Sequence, residues 1–471
     1  MLITNGKIVT PTKIIRGDIL VGKTGKIETI LEATSQANSR GVNVPHPRGE
    51  LARHLRKSDS LDAQGKYILP GLIEVHGHMR EPGMGEKEDV PHGTKAAIAG
   101  GFTTIIDMPN TNPPTTTLDR LQEKIEKIYP GRSYTDYAFF MGVAKESLDE
   151  LEKVDPQDIV GIKAFMAGHE TTPTTIPDDE TLAKIIEIAA KRDILLAVHA
   201  EDQALINQFD EQLRKTGRTD PALWSELRPK EVVIKAVERV IQLFKNYSSS
   251  ESALYLLHLS TREEFDLVEK AKKDGLDVFG ELVSYQLLFN TDDYQRLGNK
   301  IKVAPALRAP QDQQMLWELF RQRVPDVLCS EHTPHEWENK NQPDVFKAPA
   351  GMPNIQETLP AVITEWSRRF GKATLDECLM TIAQLASYNP AKIFGFDSKG
   401  EIAVGKDADL VVIDMENGWT VKKEDLFSKC AWSAYEGKKL IGRPTAIFLR
   451  GKHVYENGRI LKKPLGIWLN A

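Results

Sequence analysis

The sequence predicts an α/β protein: a (β/α)8 TIM barrel with a small β-sandwich domain formed by its N- and C-terminal segments. Three observations predict it. Eight short apolar, β-rich runs recur through the middle of the chain, at 72–76, 103–108, 136–143, 160–166, 194–199, 253–259, 278–284 and 326–331. Helical patterns such as DDETLAKIIEIAAKRD (178–193) and STREEFDLVEKAKKDG (260–275) separate most of them. Strands alternating with helices build parallel sheets, and eight such units close into a barrel. The two ends differ in texture: apolar positions alternate between Gly and Asn turns, the mark of small antiparallel sheets.

Taken in order, residues 1–67 contain the strand candidates LITNGKIVT (2–10), GDILVG (17–22) and KIETI (26–30). Residues 34–59 are polar and carry Pro and Gly, which predicts a surface insertion. Residues 68–399 hold the barrel pattern and make up the expected catalytic domain. Residues 400–471 return to sheet, with ADLVVIDM (408–415) and TAIFLRGKHVYENGRIL (445–461). The two ends are therefore expected to build one domain together.

The 471 residues are 41% hydrophobic and 27% charged, with a formal net charge of −6, an ordinary globular balance. No basic stripe suggests a nucleic-acid partner, and no apolar run is long enough to predict a membrane span. The start, MLITNGKIVT, has no apolar signal-like segment. Three widely spaced cysteines, Cys329, Cys378 and Cys430, predict reduced thiols and a cytoplasmic setting.

The polar residues in the barrel strands point to chemistry. In GLIEVHGHMREPG (71–83), His76 and His78 are two apart and face the same way. Lys163, His199, His258 and Glu331 fall in or at the ends of four other strand candidates. Carboxyl ends of barrel strands converge on one mouth, so all six side chains should meet. A single histidine at a strand end is usually structural; the joint placement is what argues for a site. His46, His54, His92, His169 and His453 read as surface or loop residues. Neutral imidazoles and a carboxylate suit zinc or a similar divalent ion. A lysine beside a cation becomes useful once carbon dioxide converts it to an anionic carbamate, which can bridge two ions. Such a pair lowers the pKa of a shared water and polarises a carbonyl. Glu331 is the candidate general acid/base, taking the water's proton and passing it to a leaving nitrogen.

These residues resemble the amidohydrolase superfamily and, within it, the dihydroorotases most. GLIEVHGHMREPG is similar to a His-x-His-x-Arg-Glu-Pro-Gly signature. AGGFTTIIDMPNTNPP (99–114), GIKAFM (161–166), AVHAED, LLHLST and CSEHTPHEW match further segments. The resemblance implies reversible cyclisation of N-carbamoyl-L-aspartate to L-dihydroorotate, in pyrimidine synthesis. It implies two divalent ions, zinc being expected, bridged by carboxylated Lys163 and held with His76, His78, His199, His258 and Glu331. It places Arg80, Asn110, Arg308 and His335 on the small-molecule substrate, and it suggests a homodimer. A guanidinium fork fits a carboxylate-bearing substrate.

Three departures stand out. Glu331 replaces the family's aspartate. Ala304, in APALR, replaces an asparagine. ELVSYQLLF (281–289) replaces a Pro-His-His-Leu motif. A misplacement near 1 Å can cost about 100-fold in rate, so Glu331→Asp is expected to keep or raise activity by restoring the family geometry. The departures leave two alternatives: another cyclic amidohydrolase of allantoinase or hydantoinase type, and a catalytically weak relative serving as a structural partner.

Overall fold

The computed structural model describes residues 1–33, 60–168, 172 and 174–470. The insertion expected at 34–59 lies outside the described residues, as do His46, His54 and His169.

The N-terminal strands are β1 (Leu2–Val9), β2 (Ile14–Val21), β3 (Ile27–Glu32), β4 (Ser60–Asp62) and β5 (Tyr67–Pro70). Eight barrel strands follow: β6 (Leu72–Gly77), β7 (Phe102–Asp107), β8 (Asp136–Gly142), β9 (Gly161–Phe165), β10 (Leu196–His199), β11 (Ala253–Leu256), β12 (Asp277–Val283) and β13 (Val327–Cys329). They pair in chain order from β6 to β13, every neighbour parallel. Each expected apolar run carries one strand. The reason shows in β7 and β8, where every residue of FTTIID and DYAFFMG is buried. Strands covered on both faces read as continuous apolar runs. The intervening helices are capped from their own sequence: Asp89, Asp178 and Thr261 accept backbone N–H bonds at the starts of Val90–Gly100, Asp179–Lys191 and Arg262–Lys273.

The first and last barrel strands meet through a side chain. The Glu74 carboxylate accepts from the His76 N–H at 3.0 Å and, with its other oxygen, from the Ser330 N–H at 2.9 Å. Just above, the His78 N–H donates to the His332 carbonyl at 3.0 Å. Burial pushes the Glu74 carboxyl up to about 7, against the pull of the Ser330 hydrogen bonds. Lower down, the barrel interior is filled. Phe394 meets Phe140 and Tyr255 edge-on at 5.9 and 5.2 Å, packed with Ile73, Val75 and Ala197. Open space is therefore left at the mouth.

The chain ends form one nine-stranded sheet. It joins β1–β5 to β14 (Leu410–Asp414), β17 (Arg443–Leu449), β18 (Lys452–Glu456) and β19 (Arg459–Ile460), while β15 (Trp419–Thr420) and β16 (Lys439–Leu440) pair separately. The larger sheet is antiparallel except where β1 pairs with β4 and β5. A buried Lys399 ties it to the barrel. Its ammonium lies 2.6 Å from Asp136 at the start of β8, 2.8 Å from Asp409 and 3.1 Å from Asp407. No helix among the described residues is long and apolar enough to cross a membrane.

Candidate active site

The carboxyl ends of the barrel strands enclose a cavity lined by His76, His78, Asn110, Phe165, His199, His258, Tyr285 and Glu331, together with Val303, Ala304, Thr333, Ala350 and Gly351. His76 lies within β6 and His199 ends β10. His258 and Glu331 sit two residues beyond β11 and β13, at φ +45° and +48°. Such left-handed conformations in non-glycine residues concentrate at functional sites.

The imidazoles form a contiguous group. The His76 ring lies 5.4 Å from that of His78 and 5.5 Å from that of His258. His199 Nδ1 is 2.7 Å from His258 Nε2. His76, His78 and Glu331 each offer a ligand atom, all within 4.8 Å of one another. Burial lowers the pKa of His76 and His199, and that of His258 strongly. Neutral imidazole is the metal-binding form.

Outer carboxylates orient these rings. Glu281 on β12 takes His76 Nδ1 at 2.8 Å and also accepts from the His258 N–H at 3.0 Å and the Tyr255 hydroxyl at 3.1 Å. Glu201 takes His199 Nε2 at 2.9 Å and is paired with Arg228. Burial alone would raise Glu201; Arg228 and His199 hold its carboxyl at about 2. A carboxylate behind a ligating histidine fixes ring orientation and raises basicity.

Lys163, in the middle of β9, is fully buried. Its ammonium lies 4.5 Å from the centre of the Phe165 ring and has no hydrogen-bond partner among the described residues. Burial pulls its pKa down to about 7, with Glu281 and Glu331 opposing. An orphaned, partly neutral amine amid histidines fits the donor set of a carbamate-bridged metal pair.

Of the four expected substrate contacts, Asn110 lines the cavity; the other three are buried and are not among its lining residues. Arg80, at φ +64°, is buried. Its Nε donates to the Pro334 carbonyl at 3.2 Å and its Nη2 lies 3.3 Å from His335 Nε2. The His335 ring is 2.9 Å from the Ala350 carbonyl. Arg308 donates to Ser260 at 3.0 Å and to the Arg228 carbonyl at 2.6 Å. His92, expected at the surface, pairs with Asp89 at 2.7 Å, and His453 stacks on Phe448.

Sequence reasoning missed Glu281, Glu201 and Tyr285. Glu201 carried a signal, two residues after His199 and on the same side. Glu281 and Tyr285 lie in ELVSYQLLF, which carries no histidine and no ligand spacing to mark them.

Residues 67–222 and 358–452 match the amidohydrolase family. The chain belongs to that family. It is 30% identical to the allantoinase of Deinococcus radiodurans over 455 residues, 96% of this chain and 97% of that protein. It is 33% identical to the dihydroorotase of Pyrococcus horikoshii over 404 residues, 86% of this chain and 84% of that protein. The L-hydantoinase structure from Arthrobacter aurescens superposes with a TM-score of 0.90 at 29% identity, covering 100% of this chain and 99% of that one. These relatives are cyclic amidohydrolases, and the chain is a hydrolase of that class. Allantoinases and hydantoinases are prominent among its relatives, so the expectation of a dihydroorotase in particular gives way to the broader class.

Proposed function

We propose that this amidohydrolase opens a small, uncharged cyclic ureide ring, of the allantoin or hydantoin type. One observation carries this reading: among the described residues, no arginine or lysine lines the cavity. Beyond the two divalent ions, an anionic substrate's carboxylate would need a cation of its own facing it; the guanidinium expected for that task, Arg80, does not line the cavity and bonds instead with the Pro334 carbonyl and His335. Apart from the histidines, Glu331 and the rings of Phe165 and Tyr285, the lining is small and uncharged: Val303, Ala304, Thr333, Ala350 and Gly351, with the Asn110 amide. That lining suits a compact ring presenting carbonyl and N–H groups.

His76, His78, Lys163 as its carbamate, His199, His258 and Glu331 would hold two divalent ions, zinc being the expected identity. When bound, these supply an activated water and polarise a carbonyl. Glu281 and Glu201 keep the His76 and His199 rings turned to the cavity. Asn110 offers both a donor and an acceptor to the ring's amide edge. Glu331 accepts a proton from the attacking water as the new C–O bond forms. It returns that proton to the ring nitrogen as the C–N bond breaks, so charge and protons balance.

A second reading, dihydroorotase, is favoured by Arg80 Nη1, which is buried without a hydrogen-bond partner among the described residues. Metal analysis with turnover on allantoin, hydantoin and carbamoyl-aspartate separates the readings. Bound metal with ureide ring opening is the expected result. Cyclisation of carbamoyl-aspartate without ureide turnover favours the second reading. No metal and no turnover would leave the structural-partner alternative.

A further inference from the structure

We propose that Tyr285 is a positioning residue for Glu331, and that the two form a matched pair in which the tyrosine compensates for the longer acid. This rests on the metal-dependent reading above. Two departures from the family's pattern, 46 positions apart, meet here: the Tyr285 hydroxyl donates to Glu331 Oε2. The other oxygen, Oε1, lies on the histidine side, 3.9 Å from His76 Nε2. A glutamate has one more rotatable bond than an aspartate, so its carboxylate can swing unless something holds it. A hydrogen bond to one oxygen leaves the other at a fixed place.

The tyrosine is itself held. It is buried, at the start of the short helix Ser284–Leu288, and clamped on both sides. Ser284 Oγ is 3.0 Å from Thr358 Oγ1, and Gln286 Nε2 donates to the Pro305 carbonyl at 3.3 Å. Asn354 ties this turn to the one bearing Glu331: its Nδ2 donates to Ser284 Oγ at 3.3 Å and to the Ser330 carbonyl at 2.9 Å. Thr333 Oγ1 closes the far side on the Glu331 carbonyl at 2.8 Å. The gap between Tyr285 and Glu331 is thus set by packed neighbours. An aspartate on the same backbone would fall short by about 1.5 Å, one carbon–carbon bond, of either the hydroxyl or the histidine edge. Aspartate at 331 is therefore no restoration here, and the sign expected from sequence reverses.

The test compares wild type, Tyr285→Phe, Glu331→Asp and the double variant as zinc-loaded full chains. Tyr285→Phe keeps the ring and its packing. It should lower kcat by about 10–100-fold with KM nearly unchanged, and speed zinc loss to a chelator by about 10-fold. Glu331→Asp should lose activity similarly. The double variant should be no worse than the worse single, since each breaks the same link. Wild-type kcat and zinc retention in Tyr285→Phe, or losses that simply multiply in the double variant, would overturn the pairing. If wild type opens no ureide ring, the functional reading fails separately, and zinc retention across the four proteins still decides the pair.

Discussion

Two buried lysines in this barrel have opposite surroundings. Lys399, where the barrel meets the second sheet, faces Asp136, Asp407 and Asp409, and the pull of these carboxylates outweighs burial, so its pKa is raised. Lys163, at the mouth, has no hydrogen-bond partner among the described residues, and burial lowers its pKa to about 7. Burial is common to both, so burial alone does not mark a functional amine. The difference lies in partners placed against one ammonium and withheld from the other. A saturated lysine holds elements together; an unsaturated one keeps its nitrogen lone pair open to chemistry.

The sharpest way to break this contrast is to remove each amine. Lys163→Ala should lose most bound metal and roughly 10⁴-fold or more of activity, the scale on which catalysis collapses when its central machinery goes, while the fold survives. Elemental analysis and turnover check this; full metal occupancy in the variant would refute the carbamate. Lys399→Met should do the reverse. It leaves three carboxylates facing one another with their common cation gone, which costs about 3–5 kcal/mol when a buried pair loses one partner. Urea unfolding would measure that loss, with metal content unchanged. A variant within about 1 kcal/mol of wild type would mean that Arg450, which also pairs with Asp136, suffices.

The same contrast explains what could be read from the sequence. The eight barrel strands were legible because residues buried on both faces leave continuous apolar runs. His76, His78, His199, His258 and Glu331 were legible because they fall at or just past the ends of those runs that converge, and Lys163 because it interrupts the middle of one. The geometry brings the four histidines and Glu331 together in one cavity lining, with Lys163 buried close enough to act on His76, His199 and His258 electrostatically. Their neighbours were not legible. Whether a lysine is saturated depends on residues such as Asp136 and Asp409, more than 250 positions apart in the chain. The direction taken by Arg80 depends on a left-handed backbone and on the Pro334 carbonyl, so a guanidinium two residues past His78 can still be missing from the cavity lining. Glu281 became meaningful once β12 lay beside β11 and within reach of His76 on β6, and Tyr285 once β12 and β13 were adjacent, which no local pattern encodes.

The smallest expected effect separates the two lysines by sign. In an unfolded chain both titrate near 10.5. In metal-free protein Lys163 binds its proton more weakly when folded. Its penalty is therefore full below about pH 7 and is relieved between there and 10.5, where the unfolded chain holds the extra proton and stability rises with pH. Lys399 binds its proton more tightly when folded. Its contribution is full below 10.5 and disappears as pH climbs through the raised folded value. Metal-free Lys163→Met should thus be more stable than wild type at pH 7, and the gap should narrow by about 1 kcal/mol per pH unit towards pH 10. The deficit of Lys399→Met should stay level over that range and shrink only at higher pH. Urea midpoints at pH 7, 8, 9 and 10 would resolve the two slopes. Parallel slopes in the two variants would mean that the amines differ in position but not in electrostatics, and the distinction drawn from their partners would fall.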